Sequence, residues 1–159
     1  MKAILVVAVF GFLTQVLCHE VSQGYHFHVY FIHTNKRQLE ETIKIRDHVL
    51  QEIEEGFLPD CSLSSIIRKP IGPHTFGQFF ACCNVSSVGN AVSFFMQNRG
   101  NQSILLHRLS ESEVKDHNER AFWLGPAIPL DEDNLGEDLG YTPQCRSHRK
   151  GLKADFPAF

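Results

Sequence analysis

The sequence predicts an α+β domain in which an antiparallel sheet is covered by helices on one face. Three observations predict it. The run Tyr25-His26-Phe27-His28-Val29-Tyr30-Phe31 alternates strictly, sending Tyr25, Phe27, Val29 and Phe31 one way and His26, His28 and Tyr30 the other. That period of two is the mark of a strand. Residues 39–53 and 88–96 instead carry apolar side chains at three- and four-residue spacings, as helices with one buried side do. Turn chemistry separates the elements, most plainly at Lys69-Pro70-Ile71-Gly72-Pro73, where two prolines and a glycine exclude regular structure.

After the first strand, Thr34 or Asn35 can cap a helix reaching about Glu55, with Leu39, Ile43, Val49, Leu50 and Ile53 as its apolar stripe. Gly56 stops it and Pro59 prevents resumption. Residues 62–67 form a short, weaker strand, and His74 follows the proline turn directly. The aromatic-rich stretch 75–83 reads as a buried strand. Ser86 or Ser87 then caps a helix over 88–98, with Val88, Ala91, Val92, Phe95 and Met96 facing inward and Gly100 closing it. Residues 103–109 make a fourth strand. Ser110 and Glu113 have capping-box spacing for a third helix through about Trp123, ended by Gly125 and Pro126. From Ala127 the chain becomes acidic and glycine-rich, the composition of a loosely packed tail tied down at Cys145.

The resulting order, βαββαβ followed by a helix, is ferredoxin-like: a four-stranded antiparallel sheet whose first strand lies between the third and fourth. The helices are expected on the Phe27/Val29/Phe31 side. The histidine side is left for a ligand, the tail or a second copy of the chain, and a homodimer would cover it.

Residues 1–18 do not read as part of that fold. A basic start, an almost unbroken apolar run and a small residue at Cys18 read as a secretory signal peptide. The expected division is 1–18 signal, 19–126 domain and 127–159 tail. Removing Lys2 leaves 14 basic against 18 acidic side chains. With no basic stripe, nucleic acid is excluded as an expected partner, and no later apolar run is long enough for a membrane helix. Cys61, Cys82, Cys83 and Cys145 remain, an even number suited to two disulfides in an oxidising compartment. Adjacent Cys82 and Cys83 would face opposite sides of a strand, so each is expected to bond to Cys61 or Cys145 rather than to its neighbour. The sequons at Asn84 and Asn101 agree with an extracellular glycoprotein.

Nine histidines are present, and their placement matters more than their number. His28 is mid-strand, His74 follows the stiff turn and His107 lies on the fourth strand. Three adjacent strands would each offer one imidazole, an arrangement that preorganises a metal site, though imidazole suits several transition metals. His26 and His117 are candidates for proton transfer or for plain surface residues. His33, His48 and His148 read as ordinary strand-end, helix and tail residues. No serine triad, phosphate loop or dinucleotide motif is present.

Several segments recur together in order and spacing: His28-Val29-Tyr30-Phe31, Lys69-Pro70-Ile71-Gly72-Pro73-His74, Asn98-Arg99-Gly100 leading to Ile104-Leu105-Leu106-His107, and Asp116-His117 leading to Ala121-Phe122-Trp123-Leu124-Gly125. Over about residues 24–126 the chain resembles the DOPA 4,5-dioxygenase family of extradiol enzymes. That resemblance implies cleavage of a catechol beside its hydroxyls with dioxygen and a non-haem ferrous ion. It implies His28, His74 and His107 as metal ligands, His26 and His117 as acid–base groups, and Tyr30 and Arg108 as substrate contacts. The chain departs from the family pattern at Ile67, Phe80 and Arg120, where the family more often carries a histidine, an acidic or amide residue and a histidine. Those departures support a rival reading, a non-catalytic secreted protein that binds a metal or ligand on the same fold.

Overall fold

The alternating run does form the central strand. A computed structural model describes residues 24–145; the signal peptide expected at residues 1–18, the residues up to 23, His148 and the end of the tail lie outside them. Strand β1 (Gly24–Phe31) is followed by helix α1 (Lys36–Glu55), strands β2 (Cys61–Leu63) and β3 (Gly77–Asn84), helix α2 (Val88–Asn98), strand β4 (Ile104–Arg108), helix α3 (Glu113–His117) and strand β5 (Phe122–Leu124). The sheet order is β2-β3-β1-β4-β5, with every pairing antiparallel. The first four strands thus have the expected ferredoxin-like order, and β5 extends the sheet beyond β4.

One face carries the core. Phe27 and Val29 from β1, Phe79 and Ala81 from β3 and Ile104 from β4 are fully buried against Ile45, Val49 and Ile53 of α1 and Ala91 and Phe95 of α2. Phe27 and Phe95 stack with ring centroids 5.1 Å apart. Burying one such aromatic contributes about 3 kcal/mol or less relative to exposure, which makes this layer the main source of stability. Gly77 is required by close packing: a Cβ there would lie 2.6 Å from the Phe31 ring.

Local signals set most boundaries. Asn35 caps α1 by accepting from the Gln38 amide at 3.2 Å, and Gly56 ends it at φ 86° while Phe57 donates back to the Glu52 carbonyl. The helix faces are rotated from expectation. In α1 the buried line is Thr42, Ile45, Val49 and Ile53, so Leu39 and Ile43 lie at its margin. In α2 Phe94 is buried while Met96 is 63 % exposed. Ser87 precedes α2 but makes no side-chain cap; its hydroxyl accepts from the Asp60 amide instead.

Residues 110–124 depart furthest from expectation. The expected long third helix is a single short one, and Phe122–Leu124 pairs with β4 as β5. Helical periodicity loses here to the unpaired edge of β4 and to packing that needs Trp123 and Leu124 on opposite faces. Ser110 does not cap the helix: its hydroxyl accepts from Arg120 and from the Ser112 amide. The tail is also less loose than its composition suggests, since His74 and Leu130 form a bridge and residues 134–144 wall a cavity on the histidine face.

The four cysteines form Cys61–Cys83 and Cys82–Cys145. Neighbouring residues of β3 therefore bond to opposite sides of the sheet, Cys83 to its register partner on β2 and Cys82 to the tail.

Candidate metal centre

Register determines which imidazoles meet. His26 on β1 lies opposite His107 on β4 and Cys82 on β3, while His28 lies opposite Leu105 and Phe80. Side chains directly opposite point to the same face, so His26, His28 and His107 share the side away from the core. The turn before β3 brings in His74, and α3 lays His117 over the group. His28 and His74 have ring centroids 4.3 Å apart, and His107 and His117 4.1 Å.

Among the described residues, two sets of three imidazoles have nitrogens within 4.8 Å of one another: His26, His28 and His107, and His28, His74 and His117. His28 belongs to both. The expected trio of His28, His74 and His107 therefore divides, with His28 joining each of the others and His26 and His117 completing the two groups.

Hydrogen bonding orients the rings. His107 Nδ1 lies 2.6 Å from the Arg108 carbonyl and His117 Nδ1 lies 2.9 Å from the Glu113 carbonyl. A carbonyl only accepts, so each Nδ1 carries the proton and each Nε2 keeps its lone pair. His28 Nδ1–H likewise donates to Gln78 Oε1 at 2.6 Å. The His28 and His107 Nε2 atoms then face one another at 3.1 Å with a lone pair each. Two such lone pairs repel unless a cation or proton lies between them. Their spacing is also what two ligand nitrogens each about 2.1 Å from one ion adopt near a right angle. The donor set therefore fits a transition metal, with second partners of the kind that fix ligating histidines.

Burial holds the group neutral. Desolvation, with added repulsion from His117, lowers His26 to about 3. His74 falls to about 3 for the same reasons, with His26 contributing. Burial and neighbouring imidazoles press His28 and His107 well below the ordinary histidine range. His117 is lowered by desolvation too, but the Glu113 carbonyl and the Glu113 and Asp116 carboxylates oppose the shift. Neutral imidazole is the form that binds a metal.

Tyr30 is on the same face, yet it is 1 % exposed and its hydroxyl lies 2.7 Å from His74 Nδ1. It steadies His74, with its ring stacked on Trp123. Arg108 follows His107 on β4, so its side chain points to the opposite face and is not among the cavity residues. His33 and His48 are exposed, with His48 paired to Glu52 on α1. Asn101 is exposed and Asn84 half-buried.

Gln78 was not legible as a site residue. An amide on an aromatic-rich strand gives no signal until register places it beside His28. The departures from the family pattern now have positions. Phe80 packs beside His26 at 4.8 Å, Ile67 pairs with Gln78, and Arg120 binds Asp116 at 3.0 Å.

The cluster lies in a cavity of about 630 Å³, floored by the sheet and walled by α3, the proline turn and the tail. The model of the Dopa 4,5-dioxygenase family matches residues 25–134. The chain belongs to that family. The "DOPA 4,5-dioxygenase" of Amanita muscaria is 33 % identical over 123 residues, covering 77 % of this chain and 54 % of that protein. The chain thus spans about half the length of that relative. An uncharacterised 21.2 kDa protein of Botryotinia fuckeliana is 25 % identical over 126 residues, 74 % of this chain and 66 % of its own length. A crystal structure of a provisionally assigned dioxygenase from Nostoc punctiforme superposes with a TM-score of 0.62 at 28 % identity, covering 70 % of this chain and 90 % of that one.

Proposed function

We propose that this protein is a metal-dependent extradiol dioxygenase that opens a catechol ring beside its hydroxyls. The observation that carries the reading is the five-histidine cluster, with lone pairs of His28 and His107 turned toward one point at the floor of a ligand-sized cavity. The expected set of His28, His74 and His107 would hold the ion, which we read as ferrous iron: His28 and His107 turn their Nε2 atoms toward one point, and His74, grouped with His28 but not with His107, would have to close on it as the third ligand. Bound iron supplies redox chemistry that lets ring electrons reach dioxygen.

The chain's own residues do the rest. Gln78 and the Arg108 carbonyl hold His28 and His107 in the tautomer that presents Nε2. Tyr30 fixes His74. His117 has its Nδ1 proton committed to Glu113 and a lone pair at Nε2, so it can take a proton from a catechol hydroxyl. Its two carboxylate neighbours favour the protonated ring more than anything near His26 does. His26 is the second acid–base group. The tail and α3 wall the cavity.

We read the protein as secreted; the two disulfides support this together with the apolar leader, and both sequons are then available for glycans. The ground for expecting a homodimer weakens, because the tail already covers the histidine face.

Phe80 favours the second reading, a protein that binds a metal without turnover. It leaves both triads purely imidazole, with no carboxylate ligand of the kind common in two-histidine iron sites. Oxygen uptake separates the two. The protein reconstituted anaerobically with ferrous iron should consume oxygen and form a yellow product when DOPA or 4-methylcatechol is added. Tight iron binding with no uptake from any catechol would leave only the binding reading.

A further inference from the structure

The cavity wall selects by charge. Among its described lining residues there is no lysine or arginine, but two carboxylates, Glu113 and Asp116, are present. Both act on the His117 ring electrostatically, which places them beside the cluster. Asp116 is 2 % exposed and its charge is matched by Arg120 at 3.0 Å. Glu113 differs. Its Oε2 accepts from the Gly136 amide at 3.1 Å, a neutral donor, and among the described residues no cation pairs with it.

Neighbouring groups do not offset that charge. Apart from the imidazoles and Asp116, the rest of the described wall is hydroxyl, amide or apolar. The volume, about 630 Å³, leaves room for a catechol ring on the cluster and an arm reaching along α3. A carboxylate at the end of such an arm would meet a like charge in a partly desolvated wall. An ammonium there would find an acceptor already held in place.

Resting on the extradiol reading above, we propose that Glu113 makes the site selective for catechols whose side arm is cationic, that is catecholamines, over catechols whose arm ends in a carboxylate. Glu113 is thereby a specificity-determining residue. Its bond to Gly136 is a separate, structural task that secures the tail. Glu113→Gln keeps an oxygen for that bond while removing the charge, so the two tasks can be told apart.

The test uses full-length protein loaded with zinc, which binds without oxygen chemistry, and three probes titrated calorimetrically: dopamine, 3-(3,4-dihydroxyphenyl)propionate and 4-methylcatechol. The first two share a ring and a two-carbon arm and differ in the sign of the end group. Dopamine should bind about tenfold or more tightly than the propionate, the scale of one charge-assisted hydrogen bond. In E113Q, checked for fold by circular dichroism and for zinc content, that ratio should fall to about threefold or less. Equal affinity, tighter binding of the propionate, or a ratio that survives in E113Q overturns the proposal. If 4-methylcatechol fails to bind, the catechol reading falls and this inference with it. If it binds and the charged pair is not discriminated, the inference alone is wrong.

Discussion

At the scale of single residues, the site depends on groups that turn imidazoles as much as on the imidazoles themselves. Gln78 is 1 % exposed and holds His28 through one short bond. Gln78→Leu should lower metal affinity about 10- to 100-fold, as loss of a ligand's hydrogen-bond partner commonly does. Competition with a chromophoric chelator measures this, and unchanged affinity would remove Gln78 from the site. Tyr30→Phe should cost about 1 kcal/mol of stability in chemical denaturation by deleting one buried hydrogen bond. Its effect on metal affinity should be smaller than that of His74→Ala, which removes a ligand. The sequence showed the imidazoles clearly, because His26 and His28 interrupt an apolar alternation at consecutive same-face positions. It could not show Gln78, whose role exists only through its register beside His28, whereas strand alternation alone already turns Arg108 away from His107.

At the scale of elements, sequence reading succeeded where local chemistry decides. The α2 boundaries follow from a strong periodic run and a glycine, and Cys82 and Cys83 announce opposite faces simply by being adjacent. It failed where tertiary demand overrides local preference. Residues 118–124 have adequate helical character, but the β4 edge takes Phe122–Leu124 as a strand. The tail's acidic, glycine-rich composition hid its role as a cavity wall. That wall is fastened by Cys82–Cys145, which spans 63 residues. Cys145→Ser should reduce stability by about 2–4 kcal/mol, the usual scale for such a cross-link. Because Cys82 lines the cavity, the same change should also speed proteolysis of the tail, readable by mass spectrometry. Cleavage no faster than in the parent protein would show that backbone contacts alone hold the tail.

At the scale of the whole molecule, four buried imidazoles and half-buried His26, all held neutral, make stability depend on pH. An unfolded histidine titrates near 6.5, whereas in the native state His26 and His74 are lowered to about 3. Below pH 6.5 the unfolded chain therefore binds protons that the native cluster refuses, and stability falls with falling pH until about 3. Above 6.5 this contribution is fully present and flat. For a well-buried group such as His74 the loss between pH 6.5 and 5 is about 2 kcal/mol. Thermal melting of metal-free protein should accordingly show a lower midpoint at pH 5 than at pH 7.5, and equal midpoints would mean the imidazoles are not held neutral.

Extradiol cleavage is decided by the fate of dioxygen. Iron-loaded protein given 4-methylcatechol under isotopically labelled dioxygen should yield a ring-opened yellow acid that has gained both oxygen atoms of one molecule, and His28→Ala should abolish it. A product that has only lost two hydrogens, the quinone, or a ring-opened product formed equally well by His28→Ala, would contradict it.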